Sequence, residues 1–185
     1  MKRFIKAYIK DTKKTGSLFS SSAKLINSML KHVDFSEDLN IVEYGPGLGH
    51  FTKSILSRAS KKSKITIFEV NDEFIKELQK IEDPRLKIIH GGAENINSYM
   101  KDGEVDAIVS GLPFGSLGKT FCLKVLNASY KVLKKDGIYL QFQYFLSNLS
   151  DVKGVFGNHE LFFEPINFPP AFIYKCYKKD LDINK

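Results

Sequence analysis

The sequence predicts an α/β fold built on a doubly wound, mostly parallel sheet, and three observations carry that expectation. Apolar runs of strand length alternate with helical stretches along most of the chain. The first run, Ile41-Val42-Glu43-Tyr44, leads straight into Gly45, Gly47 and Gly49 and then into a helix. The second, residues 64–70, ends in an acid, Glu69, and is followed at once by the helix-capping sequence Asn71-Asp72-Glu73.

Taken in order, a helix is expected over residues 23–32 after Ser20-Ser21-Ser22, and the glycine turn opens another over 51–60. The strand at 64–70 leads to a helix reaching Ile81. Strands are expected at 86–90 and 105–110, a helix at 121–133 and a strand at 137–146. Two late strands, 160–164 and 171–177, have only a short segment between them, which makes an antiparallel hairpin. In open α/β sheets ligands bind beyond the carboxyl ends of the strands, so Gly45, Glu69, the turn after His90 and Ser110-Gly111 should share one edge.

Composition agrees with one enzyme-sized domain, since 185 residues with 43% hydrophobic content can bury a full core. No apolar stretch approaches the roughly 20 residues that span a bilayer, and the first residues lack the apolar run of a signal peptide, so a cytoplasmic protein is expected. Cys122 and Cys176 read as small buried residues rather than as a disulfide or metal framework. The four histidines show no metal-ligand spacing, and no metal site is expected; His50, beside the glycine turn, is the one worth testing.

Charge is unevenly distributed. Lys2, Arg3, Lys6, Lys10, Lys13, Lys14, Lys24 and Lys31 face a single acid, Asp11, within residues 1–32, whereas the remainder is balanced, so the net +7 lies in this extension. Phe4, Ile5, Tyr8 and Ile9 recur at helical spacing opposite the basic residues. Such a helix suits the headgroup region of an anionic membrane, would equally suit a phosphate backbone, or packs its apolar side on the domain. The expected organisation is a basic amphipathic extension over 1–32 and one domain over 33–185.

Gly45 and Gly47 allow a sharp turn and close backbone approach to a ligand, and Gly49 allows the next helix to pack against the strand. The spacing is not that of the dinucleotide fingerprint, whose third glycine comes three residues after the second. An acid at Glu69, at the end of the second strand, can accept both hydroxyls of a ribose.

The pattern E-x-G-x-G-x-G from Glu43 resembles the first motif of class I methyltransferases. That resemblance implies a Rossmann-like class I methyltransferase fold, a seven-stranded sheet with helices on both faces and a C-terminal antiparallel hairpin. It also implies S-adenosyl-L-methionine as cofactor, held by Glu43, Gly45, Gly47, Gly49, Glu69, Val70, Ala93, Glu94, Ser110 and Phe19. Many relatives carry an Asp on the adenine amino group where this chain has Gly92; Glu94 could reach in its place, the backbone of Ala93 could serve, or Glu94 is a plain acid at a helix start.

Ser110-Gly111-Leu112-Pro113-Phe114 bears on the substrate. Ribosomal-RNA adenine dimethyltransferases, which the chain resembles through its glycine loop and L-P-F, place an Asn before that tripeptide, whose amide helps hold the flipped adenine. Gly111 has no amide to offer, so a free alkylamine is favoured over a nucleobase. The S-G-L-P form is similar to bacterial phosphatidylethanolamine N-methyltransferases. So are Lys13-Lys14-Thr15-Gly16 with Ser21-Ser22, and Asn167-Phe168-Pro169-Pro170-Ala171 with Tyr174. The helical C-terminal domain of the ribosomal-RNA enzymes is expected to be absent.

This resemblance implies transfer of methyl to a lipid amine, by an enzyme peripherally held at the inner face of the cell membrane through its first helix. Carbonyls of Ser110, Gly111 and Leu112 are expected to orient the amine, with Tyr144 or Tyr174 as acceptors or cation–π partners and Phe19 and Phe114 lining the pocket. An RNA methyltransferase, a small-molecule amine methyltransferase and a non-catalytic cofactor-binding protein are the alternatives.

Overall fold

The structure is a computed structural model and describes residues 23–178. The basic segment ahead of Ala23, Phe19 and the Thr15-Gly16 stretch therefore lie outside the described residues.

Helix α1 (Ala23–Leu30) is followed by β1 (Asn40–Tyr44), α2 (His50–Arg58), β2 (Lys64–Glu69), α3 (Asp72–Leu78) and β3 (Leu86–His90). A 3₁₀ turn (Ala93–Ser98) leads to β4 (Val105–Ser110), the single turn α4 (Phe114–Leu117) and α5 (Lys119–Val132). Strand β5 (Leu133–Gln143), α6 (Leu149–Phe156), β6 (His159–Glu164) and β7 (Ala171–Tyr177) complete the described chain.

One seven-stranded sheet of order β3-β2-β1-β4-β5-β7-β6 holds these strands. Five run parallel, and β7 inserts antiparallel between β5 and β6, forming the anticipated hairpin. The parallel strands are apolar runs because helices cover both faces. Ile41, Ile65, Ile67 and Leu140 point to one face, beneath Leu25, Met29, Ile55 and Leu78 of α1, α2 and α3. Val42, Tyr44, Ile108 and Tyr139 point to the other, beneath Cys122, Leu126, Val152 and Phe156 of α5 and α6.

Helix α1 buries Leu25, Ile26, Met29 and Leu30 in that first core, so core packing extends ahead of residue 33. Strand β5 starts four residues before the expected position. Val105 pairs with Leu133 ahead of a bulge, and the ladder resumes at Ala107 and Ile138. It also stops at Gln143 rather than at 146, because the Tyr174 hydroxyl donates to the Phe145 carbonyl at 3.3 Å and draws the chain out of the ladder. Both cysteines are free and buried, and burial pushes their thiols up to about 11 for Cys122 and about 12 for Cys176.

Candidate active site

The parallel ladder continues one residue past each strand, which aligns the glycine turns. Gly45 N–H donates to the Phe68 carbonyl at 3.0 Å, Gly91 N–H to Glu69 at 2.9 Å and Gly111 N–H to Tyr44 at 2.8 Å. These turns rim a cleft of about 800 Å³, counting its open mouth, at the carboxyl edge of the sheet. Gly45, Gly47, Glu69, Val70, Ala93 and Glu94 line it, together with Gly111, Leu112, Leu117 and Phe121.

Gly45, Gly47 and Gly49 all adopt left-handed backbone, with φ of 63°, 56° and 78°. Their surroundings separate their roles. A Cβ on Gly47 would stand in open space, whereas one on Gly45 would come within 3.2 Å of Leu112 Cδ2. A Cβ on Gly49 would meet Leu78 Cδ2 at 3.0 Å and Ile81 Cδ1 at 3.2 Å. Gly49 thus serves close packing on the end of α3, not on the strand, and does not line the cleft.

Glu69 ties the glycine turn to α3. Its Oε1 accepts from Val70 N–H at 2.8 Å and Asn71 N–H at 2.9 Å, and its Oε2 accepts from Gly47 N–H at 3.2 Å. Burial raises its pKa, and these three amides and His90 oppose the rise. A carboxylate has about four acceptor positions. With Oε1 filled by two amides, Oε2 is the oxygen left for a ribose hydroxyl, so the pair of hydroxyls anticipated for this acid meets one available position.

Glu43 is not in the cleft. Its carboxyl is buried behind the glycine turn, where Thr52 Oγ1 of α2 donates to it at 2.7 Å, and burial pushes its pKa up to about 8. It ties the end of β1 to α2 on either side of the turn and does not line the cleft. Ser110 is likewise internal: its hydroxyl bonds Tyr139 and accepts from Leu112 N–H at 3.4 Å.

The Leu112 carbonyl turns away from any substrate. It accepts from Gln143 Nε2 at 2.8 Å, Gln141 Nε2 at 3.0 Å and Phe114 N–H at 3.0 Å, which exhausts its acceptor capacity. Tyr139 donates to Gln141 Oε1, so a buried chain of polar groups from β5 braces the Ser110–Phe114 turn from beneath. The two glutamines were not anticipated. Tyr139, Gln141 and Gln143 alternate onto one face of a strand, and polar side chains inside so apolar a segment are the signal that could have found them.

Of the tyrosines, Tyr174 spends its hydroxyl on Phe145, and Tyr144 is half-buried, hydrogen-bonded to Asn167 and packed edge-on against Phe142. Neither lines the cleft. Phe114 is buried in the core beside Cys122 rather than on the cleft wall. His50 is exposed at the start of α2. Among the described residues no group of His, Cys, Asp and Glu is placed to hold a metal ion.

Glu94 stands in a telling position. A Cβ on Gly92 would lie 2.2 Å from Glu94 Oε2, so the Glu94 carboxylate occupies the space a side chain at 92 would take. That Oε2 is buried and has no hydrogen-bond partner. A purine amino group could satisfy it, between Val70, Ala93 and the other apolar walls. An open glycine backbone, an acid with one remaining acceptor and an unpaired acid on an apolar slot fit S-adenosylmethionine. When bound, that group supplies a methyl on a positively charged sulfur.

A family model described as Ribosomal RNA adenine dimethylase matches residues 9–151. Ornithine lipid N-methyltransferase of Singulisphaera acidiphila is 24% identical, with 94% of this chain and 93% of that protein covered. Ribosomal RNA small subunit methyltransferase A of Dechloromonas aromatica is 26% identical over 55% of this chain, which spans 39% of that protein. Among solved structures, the precorrin-6y C5,15-methyltransferase of Geobacter metallireducens aligns with TM-score 0.70 at 15% identity over 88% of this chain and 92% of that one. A SAM-dependent methyltransferase from Aquifex aeolicus aligns with TM-score 0.67 at 15% identity over 92% and 97%. At such identities these two establish the fold.

Proposed function

Given that the chain belongs to the ribosomal RNA adenine dimethylase family and is an S-adenosylmethionine-dependent methyltransferase, we propose that it methylates the primary amine of a membrane-lipid headgroup. Phosphatidylethanolamine is the substrate to which the sequence resemblance points, and an ornithine lipid is the one added by the name of the relative similar over 93% of its length.

The observation that carries this reading is Gly111. It lines the cleft where a nucleobase-binding amide would stand, and a Cβ there would press on the Gly45 carbonyl oxygen at 3.0 Å. The chain therefore meets its acceptor with backbone and apolar wall. An alkylamine needs little more than that, because its lone pair is intrinsically nucleophilic once the ammonium proton is lost. The work left to the protein is to hold nitrogen in line with the methyl and to exclude water. With the Leu112 carbonyl spent, the Gly111 carbonyl is the backbone acceptor we assign to the incoming amine.

A second reading, methylation of an RNA adenine, draws support from the family match and from the ribosomal-RNA relatives. One experiment separates the two. Labelled S-adenosylmethionine is incubated with the protein and either liposomes containing phosphatidylethanolamine, liposomes containing ornithine lipid, or ribosomal RNA. Label in a lipid extract, lost in Glu69→Ala, supports the lipid reading and identifies the headgroup. Label in RNA alone overturns it.

A further inference from the structure

Large apolar side chains stand in solvent on one corner of the fold: Phe145 is 77% exposed, Leu146 40%, Phe163 56%, Ile166 62% and Phe168 90%. Scattered exposed apolar residues are ordinary, but a cluster of aromatics is not. The strand register puts these residues together. Gln143, the last residue of β5, opposes Phe172, and Phe172 opposes Phe163, whose ring lies 5.1 Å from its own. The chain thus leaves β5 through 144–148 and turns from β6 to β7 through 165–170 at the same end of the sheet. That end is the carboxyl edge of β1 and β4, where the cleft opens.

The backbone beneath these side chains is fixed by buried polar groups. Tyr174 holds the Phe145 carbonyl, Asn167 Nδ2 donates to the Pro169 carbonyl at 2.7 Å, and the buried Asn167 side chain also bonds Tyr144. Polar atoms face inward and are partnered while aromatics face outward, the reverse of an ordinary surface loop.

Charge identifies the occupant. Helix α1 starts at this same edge, because Ser28 donates to Glu164 and Lys24 acts on Glu164, while His32 packs on Phe162 farther down β6. The preceding 22 residues join the fold there and carry Lys2, Arg3, Lys6, Lys10, Lys13 and Lys14 against Asp11. A basic segment that joins the fold at the edge carrying projecting aromatics matches a surface that is negative outside and apolar just beneath. We propose that the rim formed by Phe145, Leu146, Phe163, Ile166 and Phe168 is the membrane-docking face of the folded domain, inserting into an anionic bilayer so that the cleft opens onto it. This rests on the lipid-amine reading for its purpose, though not for its test.

The test is flotation of the full chain with phosphatidylglycerol–phosphatidylcholine vesicles, which contain no primary-amine lipid, in low salt and in about 0.5 M salt. Salt screens the basic segment and spares apolar insertion. Phe145→Ser/Phe168→Ser is expected to bind S-adenosylmethionine as the wild type does but to partition at least about tenfold more weakly in high salt. Lys2/Arg3/Lys6→Glu should instead lose the extra binding seen in low salt and keep the high-salt fraction. Equal flotation of the serine variant and the wild type overturns the proposal. So does a wild-type dimer in light scattering that the serine variant abolishes, or retention of RNA rather than vesicles through these aromatics. Methyl transfer to detergent-dispersed lipid amine is read separately: activity there without flotation sinks the docking face alone, and flotation without transfer sinks only the substrate reading.

Discussion

The side-chain amide of Gln143 donates to the Leu112 carbonyl at 2.8 Å, and so couples the end of β5 to the turn that presents Gly111 to the cleft. Gly111 N–H anchors the start of the turn on the Tyr44 carbonyl, and beyond it the turn's backbone bonds are local, so the placement of Leu112 depends on this amide and on Gln141. Gln143→Leu should cost about 1 kcal/mol of stability, the net worth of one buried hydrogen bond. Its larger effect should be on turnover, because small misplacements of a reacting group are magnified in rate. We expect kcat to fall about five- to tenfold with the cofactor Kd within about twofold. Equal losses in kcat and cofactor affinity would mean that the glutamine supports the whole edge and not the acceptor side.

Glu94 lies over Gly92 with Oε2 buried and unpaired. If that oxygen receives a purine amino group, Glu94→Ala should weaken S-adenosylmethionine about tenfold, the loss of a hydrogen bond to a charged acceptor. The same variant should bind the 6-oxo purine analogue no worse than the wild type does, since the analogue offers an oxygen that the carboxylate repels. Titration calorimetry with both cofactors gives the comparison, and an equal loss for both would show that Glu94 merely shapes the slot.

The strands were legible because strands buried between two helical layers are short apolar runs ended by glycine or an acid. β3, β4 and β7 fall on the expected residues. The elements that were missed are short and depend on tertiary contacts. α4 is one turn held by burial of Phe114, and α6 has eight residues interrupted by Gly154. For the site, glycine spacing revealed which backbone could approach a ligand, and Gly47, Glu69, Val70, Ala93, Glu94 and Gly111 do meet in one cleft. Glu43 and Ser110 share the same motifs yet face inward, since strand alternation decides direction and a motif does not record it. Gln141 and Gln143 became functional candidates only once β5 proved to be an interior strand, between β4 and β7, where their amides must find partners.

Gly47 and Gly49 should respond oppositely to alanine. Both have positive φ, which costs about 1–2 kcal/mol for a residue with a Cβ. At Gly47 nothing else is added to stability, because the new methyl points into open space, but that space is the cleft. At Gly49 the methyl also meets Leu78 at 3.0 Å, and overpacking adds about 1 kcal/mol or more. Gly49→Ala is therefore expected to be the less stable protein in urea, and Gly47→Ala the one with the weaker cofactor Kd. The opposite ranking in either measurement would reverse the roles assigned to them.

Glu43 makes stability fall as pH rises. Burial, reinforced by the negative charge of Glu69 and opposed by the Thr52 hydrogen bond, lifts its folded pKa to about 8 from an ordinary value of 4.5. Between those values the folded chain retains a proton that the unfolded chain has released, so the stabilisation is complete below about 4.5 and is lost as pH rises through about 8. Glu43→Gln copies the protonated carboxyl and keeps an acceptor for Thr52 Oγ1, yet cannot ionise. Its Tm should lie near that of the wild type at pH 5 and above it at pH 8.5, by about 2–4 °C for each kcal/mol that the wild type has lost. Cofactor affinity should change little at pH 7, because the carboxyl faces Thr52 and not the cleft. Melting curves of the two proteins across this range give the answer, and parallel profiles would show that Glu43 is ionised in the fold.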